Sequence, residues 1–443
     1  MVSGGVALIF LVVAVVLIIL MTARLNLNAF IALLVVAFLY GIAIGLPLTD
    51  VVSKVRSGFG GTLGYIGIVI VAGTIIGTIL ERTGAALTMT KAILKVVGRE
   101  RAPLAMSVAG YVVSIPVFCD SGFVILTPLN KALAHDTGKS MAVMSVALAT
   151  GLYATHTLVP PTPGPIAAAG ILGADLGLVI GLGLVVSIPA MIAGYIWAIK
   201  FAKRYEIVPQ LEETYEDLLK KYGKLPGTVA AFMPLVFPII LILLKSLAEF
   251  PTRPFGTGGF ATFLSFIGDP VTALLIGVIL SLFLVKKELI KEATSDWMSD
   301  GIRNAAIILA ITGAGGSFGE ILKASPMANF IEASFAGLNL GILLPFIISA
   351  ALKTAQGSST VAIITTSSIM APLMVGLGLN PALTVLAIGS GAMVVSHAND
   401  SYFWVVSKFS DMEVSVAYKA YTTATLIEGV VAFIAVSVLS IFV

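Results

Sequence analysis

The sequence contains few charged residues, one cysteine and three histidines. Only 11% of its 443 residues are charged, whereas 58% are hydrophobic. Soluble domains contain about 25% charged residues, so this composition excludes a soluble globular protein and predicts a polytopic helical membrane protein. The single cysteine, Cys119, excludes an intrachain disulfide. A formal net charge of +3 is too small to indicate nucleic-acid binding.

Several chemical motifs are also absent. The sequence has no Walker-type phosphate loop, so ATP-driven transport is not expected. It has no Ser-His-Asp or Cys-His hydrolase context, and we predict that the protein is not an enzyme. The three histidines are widely spaced and form no metal-ligand pattern. We therefore expect neither a metal nor another cofactor.

Ten apolar runs are long enough to cross a bilayer, which requires about 20 apolar residues per helix. The first lacks a polar N-terminal region and a clear cleavage site, so we interpret it as a membrane helix rather than a signal peptide. The runs lie at about 4–21, 27–46, 62–80, 140–158, 176–199, 228–247, 271–285, 303–322, 381–396 (extended to about 406) and 420–443.

The polar stretch Lys353–Thr360 interrupts a long apolar segment, 341–373. Irregular polar backbone persists at membrane depth only where it is buried in protein or lines a wet cavity. We therefore predict a re-entrant hairpin that turns at Gln356–Ser359. The alternative is one kinked helix, but roughly thirty residues is long for a single crossing. The free N–H groups at the start of the second arm would suit a carboxylate.

A second apolar segment, 103–130, has the same character. It is interrupted by Pro116 and by the run Cys119–Gly122, and we predict a second re-entrant hairpin there. Asp120 stands at its turn, where it either caps an arm that begins near Ser121 or contacts a ligand or proton. Lys353 of the other hairpin likewise has two interpretations: it faces a substrate carboxylate, or it extends towards the membrane surface.

Lysine and arginine residues set the predicted orientation. They cluster in 82–101, 200–224 and 286–303, which the positive-inside rule places in the cytoplasm, whereas 248–270 has only Arg253 and faces outwards. The trace then places both termini outside. This assignment of sides is consistent along the whole chain only if each hairpin enters and leaves the membrane on the same side. The first hairpin does so on the cytoplasmic side and the second on the outside.

The two halves of the chain share one order of features. Residues 1–200 and 227–443 each have five predicted crossings and one hairpin, joined by a cytoplasmic linker at 201–226. An amphipathic segment, about 84–97 or about 323–337, precedes each hairpin. Because five is odd, the halves must be inverted, as in secondary transporters. The predicted fold is an all-α polytopic membrane protein with two inverted repeats, each of five transmembrane helices plus one re-entrant hairpin.

Two further polar breaks occupy matching positions in the halves. Four prolines between positions 160 and 165 must end the preceding helix around His156–Leu158. The second break, Val395–Tyr402, is dense in groups that favour turns. His156 and His397 lie at these breaks, where substrate or proton contact is weighed against an ordinary structural role. Asp400, in the second break, is a candidate proton carrier beside Asp120.

Three of these stretches resemble signature segments of the bacterial gluconate permease family of proton symporters. They are Val117–Phe123, His156–Pro165 and Ser396–Trp404, and the resemblance runs from the first helix to the last. The resemblance implies import of gluconate or a related sugar acid with protons, although some members carry D-serine or glycerate. Cys119 and Tyr402 depart from the family pattern, and these departures concern the substrate rather than the class.

The family is placed in the ion-transporter superfamily, whose known folds are homodimers with a scaffold domain, a transport domain and paired hairpins. The resemblance therefore implies a multi-pass homodimer in the bacterial cytoplasmic membrane and elevator-type movement. The predicted substrate-binding residues are Asp120, Ser121, Gly122, His156, Thr157, Gln356, Gly357, Ser358, Ser359, Thr360, Ser396, His397 and Asn399, and the predicted proton-coupling residues are Asp120 and Asp400.

Three other functions stay open at this stage. The carbonyl-rich breaks could hold sodium in place of a coupled proton. An intramembrane enzyme would need a nucleophile–base pair, and a passive channel would give no uphill uptake. Seven hydroxyl residues lie between Ser358 and Ser368, a number that suits the polyol chain of a sugar acid and favours the transporter.

The predicted topology can be tested by cysteine labelling. Single cysteines at Gln210 and Ser295 should react with a membrane-impermeant reagent only from the cytoplasm, and a cysteine at Gly258 only from outside, because the basic loops face inwards. Intact cells and inverted vesicles distinguish the two sides. Labelling of the Gly258 cysteine from the cytoplasm would contradict the trace with two hairpins.

Overall fold

The computed structural model describes residues 2–25, 27–209, 223–250, 252–326, 341–374, 376–398 and 400–442. In these ranges the chain is helical and has no strand, so the all-α prediction is confirmed. The principal helices are α1 (Gly4–Ile19), α2 (Ala29–Ala43), α3 (Leu48–Arg82), α4 (Ala85–Val97), α5 (Ala102–Val113), α6 (Cys119–Thr137), α7 (Met141–Leu158), α8 (Pro163–Leu172), α9 (Leu176–Lys200), α10 (Thr228–Ala248), α11 (Gly259–Ile267), α12 (Pro270–Leu282), α13 (Met298–Lys323), α14 (Leu343–Gln356), α15 (Ser359–Met370), α16 (Pro381–Gly391), α17 (Ser401–Phe409) and α18 (Thr423–Leu439).

The helices follow the apolar runs closely. In the part of the chain that is described, seven helical segments are long and apolar enough to span a membrane, or eight if the bent pair α11–α12 forms one span. Several boundaries differ from the prediction; for example, α16 ends at Gly391 rather than near 396. Helix α3 begins at Leu48 rather than near 62, because its polar first half still buries Val51 and Val55. The predicted outer loop 248–270 contains α11, which lies at 61° to α12.

Both interrupted segments fold as two helices joined by a short turn. Helix α14 ends at Gln356 and α15 begins at Ser359, as the polar residues predict. Gly357 between them has a φ of +87°, a conformation that glycine adopts without steric strain. The Ser358 hydroxyl then accepts the Val361 N–H at 3.3 Å and caps α15. Whether these helix pairs re-enter one face of a membrane stays a prediction.

In the first helix pair, the position of Asp120 differs from one of its two interpretations. The second arm begins at Cys119 rather than near Ser121, and Phe118 occupies the N-cap position without a side-chain cap. The chain is already extended at Phe118 (φ −57°, ψ 140°), so the helix starts before Asp120. The expectation that Asp120 caps this arm is therefore wrong. Its carboxylate lies in the first helical turn, where it is free to contact other elements.

The two polar breaks also separate helices. Helix α7 ends at Leu158, within the predicted interval, and α8 resumes at Pro163. Helix α16 ends at Gly391, and α17 begins after Asp400. The Asp400 Oδ1 atom accepts the Tyr402 N–H at 3.1 Å, so this carboxylate caps α17. Both breaks are confirmed as interruptions of a helical path.

The helices of the two halves pack in matching ways. The first arms α5 and α14 pack on the following helices α7 and α16, respectively. The second arms cross to the other half of the chain: α6 packs on α17, and α15 packs on α8. Each half therefore supplies the short helix that covers the other half's helix pair, which brings the turns and the breaks of both halves into one region.

The long helices α3 and α13 cross each other through small residues. A Cβ atom on Gly58 would lie 2.5 Å from the Gly316 carbonyl oxygen, and one on Gly316 would lie 2.1 Å from the Thr62 hydroxyl. Small residues let membrane helices approach closely enough for backbone contact. The same helices face the functional elements through other glycines: Gly77 of α3 faces the Pro116 carbonyl.

Three predicted features lie partly or wholly outside the described residues. They are the linker 201–226, the second amphipathic segment at about 323–337, and Asn399.

The close crossing of α3 and α13 predicts the effect of adding one methyl group at Gly58. Gly58→Ala should lower the thermal unfolding temperature, because overpacking of a tight contact costs about 1–3 kcal/mol. Gly60→Ala is the matched control, since a Cβ there meets nothing within 4 Å. Unfolding of both purified variants in one detergent measures the difference. Equal stability of the two variants would show that α3 and α13 do not cross at Gly58.

Candidate functional site

The site is centred on a buried ion pair between the second helix pair and the second break. Lys353 lies in the last turn of α14 and is 0% exposed. Its Nζ atom donates to Asp400 Oδ2 at 2.6 Å and also to the Gly357 carbonyl in the turn. A buried ammonium needs such compensation, because an unpaired charge in the interior is strongly destabilising. Lys353 therefore neither extends to the membrane surface nor waits unpaired for a substrate.

Asp400 accepts hydrogen bonds from three elements. Besides Lys353, the Ser396 hydroxyl donates to Oδ2 at 2.5 Å, and the Tyr402 N–H donates to Oδ1. Charge-assisted bonds of this kind are the stronger ones in proteins. The carboxylate thus ties the helix pair α14–α15 to α17 and to the chain segment that precedes it.

Two further bonds fix the second break between both helix pairs. The His397 Nε2–H donates to the Thr354 carbonyl of α14 at 2.8 Å. On the other side, the Ser401 hydroxyl donates to Asp120 Oδ1 of α6 at 3.5 Å. Asp120 also lies within electrostatic range of Asp400 and Lys353. Asp120, His397 and Asp400 therefore lie around the second break.

Aromatic rings connect the first break, at the end of α7, to the region of the ion pair. His156, which is buried at the end of α7, lies 6.2 Å from the Phe118 ring and stacks on Tyr153, with ring planes 14° apart. The Lys353 ammonium lies 5.7 Å from the Tyr153 ring centroid, within cation–π range. His156 Nδ1 has no hydrogen-bond partner among the described residues, so this atom can accept or donate a further bond.

The remaining predicted residues divide between turn and packing positions. Ser358, Ser359 and Thr360 form the turn and first helical residues at the start of α15, and Ser121 lies in the first turn of α6. Both amide atoms of the Gln356 side chain are buried without a partner among the described residues. Gly122 and Thr157 have packing contacts instead: a Cβ on Gly122 would meet Leu152 at 2.7 Å, and the Thr157 carbonyl abuts Gly389.

The hydroxyl groups along α15 lie in two different environments. Those of Ser367 and Ser368 bond to carbonyls one turn earlier in α15, at 2.8 Å each, and both residues are fully buried. Ser368 also faces Gly315 of α13. These deeper hydroxyls therefore pack between helices, and only the hydroxyls at Ser358–Thr360 lie at the turn beside the ion pair.

A separate cavity lies away from the ion pair. It has a volume of about 150 Å³ and lies where α3 meets α9, α10 and α12, with Tyr65, Asp175 and Lys245 in its wall. Lys245 pairs with Asp269 there at 3.0 Å. Helix α8 also lines it through Ile166 and Ala169, but none of the residues that the sequence predicts to bind substrate or protons is in its wall.

Sequence reasoning missed three contributors to the site region. Lys353 was weighed without its partner Asp400, which is 47 residues away. Tyr153 could have been found because it lies three residues before His156, on the same face of a helix. Glu428 is the one charged residue in the apolar run 420–443, and a charge in such a run is a functional candidate.

Comparison with known proteins identifies the class. The profile of the GntP family permeases matches residues 6–442. The chain belongs to this family. The gluconate permease of Pseudomonas aeruginosa is 32% identical over 437 residues, which cover 96% of this chain and 95% of the relative. The D-serine transporter of Escherichia coli O6:H1 is 33% identical over 435 residues, covering 97% of each chain.

A solved structure has a similar fold. The Alcanivorax borkumensis YdaH transporter superposes with a TM-score of 0.67 at 15% sequence identity, covering 93% of this chain and 98% of its own. The family and its named members make this GntP family permease a transporter rather than an enzyme. It is a multi-pass protein of the bacterial cytoplasmic membrane. The sequence-based identification of the family is confirmed.

The ion pair predicts a clear difference between single and double variants. Lys353→Met should destabilise this GntP family permease by roughly 3–5 kcal/mol, because it leaves Asp400 buried without its cation. The double variant Lys353→Met/Asp400→Asn should recover most of that loss. Thermal unfolding of the purified proteins measures both effects.

The control is Lys245→Met, which removes a partly exposed partner of Asp269. Exposed pairs contribute about 0–1 kcal/mol, so the control should unfold near the wild-type temperature. If Lys353→Met were as stable as this control, the buried pair would not exist in the folded protein.

Proposed function

We propose that this GntP family permease imports a small hydroxylated monocarboxylate, gluconate or a related sugar acid, by proton symport. The observation that carries the proposal is the buried Lys353–Asp400 pair at the turn between α14 and α15. An ammonium held by a carboxylate is a carboxylate-binding site that the protein itself occupies. The N-terminus of α15 adds free N–H groups at the same turn, and gluconate is named for a relative of 32% identity.

The pair gives a reason for obligatory coupling. In the empty state Lys353 is neutralised by Asp400. When a proton binds Asp400, the ammonium loses its partner, and a substrate carboxylate restores the balance. A proton alone would leave an unpaired buried cation, and a substrate alone would place two carboxylates on one ammonium, so both half-loaded states are costly. Substrate and proton therefore enter and leave together.

The polar groups around the pair suit the hydroxyls of a sugar acid. The unpartnered amide of Gln356 can both donate and accept hydrogen bonds. His156 Nδ1 and the hydroxyls at Ser358–Thr360 add further groups around the same turn. A bound polyol would satisfy buried polar atoms that have no partner here, and each such hydrogen bond contributes roughly 0.5–1.5 kcal/mol net.

The movement that we propose is of the elevator type. The matching order and packing of the two halves support inverted repeats at 1–200 and 227–443. The helix pairs and breaks would form the transport domain, and α3 and α13 would belong to the scaffold. Glycines at the contacts, such as Gly77 against Pro116 and Gly315 against Ser368, present smooth surfaces for sliding. The superfamily resemblance adds the proposal of a homodimer.

Transport of a different small carboxylate is the second candidate. A relative of 33% identity is named a D-serine transporter, and D-serine also carries one carboxylate and one hydroxyl. Glycerate carries one carboxylate and two hydroxyls. Sodium coupling is the alternative to proton coupling, because the backbone carbonyls at the breaks could hold that cation.

Transport in proteoliposomes tests the class, the substrate and the coupling ion. Labelled gluconate should accumulate against its gradient when an inward proton gradient is imposed, and a protonophore should abolish accumulation. Competition by D-serine and glycerate compares the alternative substrates. Accumulation that needs a sodium gradient and persists with the protonophore would replace the proton with sodium. Equilibration without accumulation would indicate a passive channel.

Of the two candidates from the sequence, Asp120 and Asp400, we assign the coupled proton to Asp400, because Asp400 holds Lys353 directly. Asp400→Asn imitates the protonated acid, so gluconate counterflow should remain measurable while proton-driven accumulation is lost. Asp120→Asn is the matched control, because it makes the same change one element away. Retained accumulation in Asp400→Asn together with lost accumulation in Asp120→Asn would transfer the role to Asp120.

A further inference from the structure

A second buried acid, Glu428, is a neighbour of Tyr153, the ring beside which the Lys353 ammonium lies. It is in α18, it is 0% exposed, and neither carboxylate oxygen has a hydrogen-bond partner in the part of the chain that is described. Other buried atoms without partners belong to neutral or basic side chains or to a tyrosine hydroxyl, so Glu428 is the one such carboxyl group there. The rest of α18, Thr423–Leu439, carries no other charged residue.

An ionised carboxylate cannot persist in this environment. A buried charge without a partner or hydrogen bonds costs several kcal/mol or more, whereas a neutral carboxylic acid costs far less. Intramembrane acids are accordingly rare and mark ion or proton pathways. A structural role alone would be served by a leucine or methionine at lower cost, so the retention of an acid in the middle of a membrane helix needs another explanation.

Glu428 is connected to the second break through its own helix. Thr425, one turn earlier on α18, accepts the Ser396 N–H at 3.0 Å. The Ser396 hydroxyl in turn donates to Asp400. The neighbouring Gly429 approaches the end of α16, where an added Cβ would lie 2.7 Å from the Ser390 carbonyl. Any rearrangement of the second break therefore alters the surroundings of Glu428.

The groups that face Glu428 are mostly uncharged. Helix α16 has no titratable side chain, α7 contributes Tyr153 and His156, and α9 has Tyr195 and, at its last residue, Lys200. The helical turn Tyr418–Thr422, which also packs on α18, adds Tyr418, Lys419 and Tyr421. Glu428 lies within electrostatic range of Tyr153 and of Tyr402 of α17. The charged pair Lys353–Asp400 is also near Tyr153, so Tyr153 is a neighbour that the two acids share.

We propose that Glu428 is a second proton-binding site of this transporter, distinct from Asp400. The acid holds its proton while it is sealed as in this structure. When the second break opens and water reaches it, the proton passes to that water, and a proton from the opposite side reloads the acid in the next cycle. This inference rests on the proposed proton symport and deepens it. Each substrate molecule would enter with one proton more than the number that is needed to compensate the charge of Lys353.

The number of protons per substrate tests the proposal. Reconstituted wild-type protein and Glu428→Gln are compared by the membrane potential at which gluconate flux reverses under fixed gradients. Glutamine keeps the size of the side chain and removes only the titrating group. The variant should show a ratio that is lower by one proton, with counterflow still measurable. Glu249→Gln is the control, because Glu249 is exposed, and it should keep the wild-type ratio.

Infrared difference spectra give a second readout that does not depend on transport. A pH step on reconstituted wild-type protein should change a carboxylic-acid band that is absent in Glu428→Gln. If the glutamine variant does not fold, Glu428→Asp serves instead, and the band should shift rather than vanish. A structural acid that never titrates would give no such band change.

The outcomes separate this inference from the proposed function. A wild-type ratio in Glu428→Gln, or an unchanged infrared difference spectrum, would overturn the role of Glu428 and leave proton symport intact. Absence of any proton-driven flux in the wild type would instead refute the symport proposal itself. A lower ratio in the variant with an unaffected Glu249→Gln control supports the second proton site.

Discussion

The structure depends on one constraint: a charge that is buried away from water has to be neutralised within the protein. Lys353 meets this constraint through Asp400 and the Gly357 carbonyl. A buried pair of this kind is weak evidence for stability, because desolvation offsets most of the attraction. Its value lies elsewhere, since the pair joins a helix turn to a helix break and, in the proposed mechanism, is the contact that a substrate carboxylate would replace.

The broken helices follow from the same constraint. A continuous membrane helix satisfies all of its backbone groups internally and offers nothing to a ligand. The prolines after Leu158 and the turn residues after Gly391 interrupt that pattern, and the second arms α6 and α15 begin with unpaired N–H groups. Because α6 packs on α17 and α15 packs on α8, each of these arms is covered by a helix of the other half. Packing of each second arm on the other half of the chain therefore lets polar backbone groups lie inside a membrane protein.

The sequence predicted the elements better than their contacts. Apolar runs and proline positions fixed the end of α7 and the turn at Gln356–Ser359, because backbone chemistry acts locally. The start of α3 at Leu48 escaped hydropathy, since a helix that packs on α13 can include polar residues on its other face. The Lys353–Asp400 pair could not be predicted, because its members are far apart in sequence and either one had a plausible alternative partner.

Asp400 and Glu428 have similar side chains, but their surroundings compensate different protonation states. Asp400 accepts bonds from Lys353, Ser396 and Tyr402, so its anion is well compensated, and protonation has to release a cation. Glu428 has no partner among the described residues, so its neutral form is the compensated one, and deprotonation has to admit water. In the proposed mechanism, Asp400 therefore couples a proton to the substrate's charge, and Glu428 couples a proton to the opening of the protein. Both events involve the segment from Ser396 to Asp400, which makes this break, rather than either helix pair alone, the element on which coupling depends.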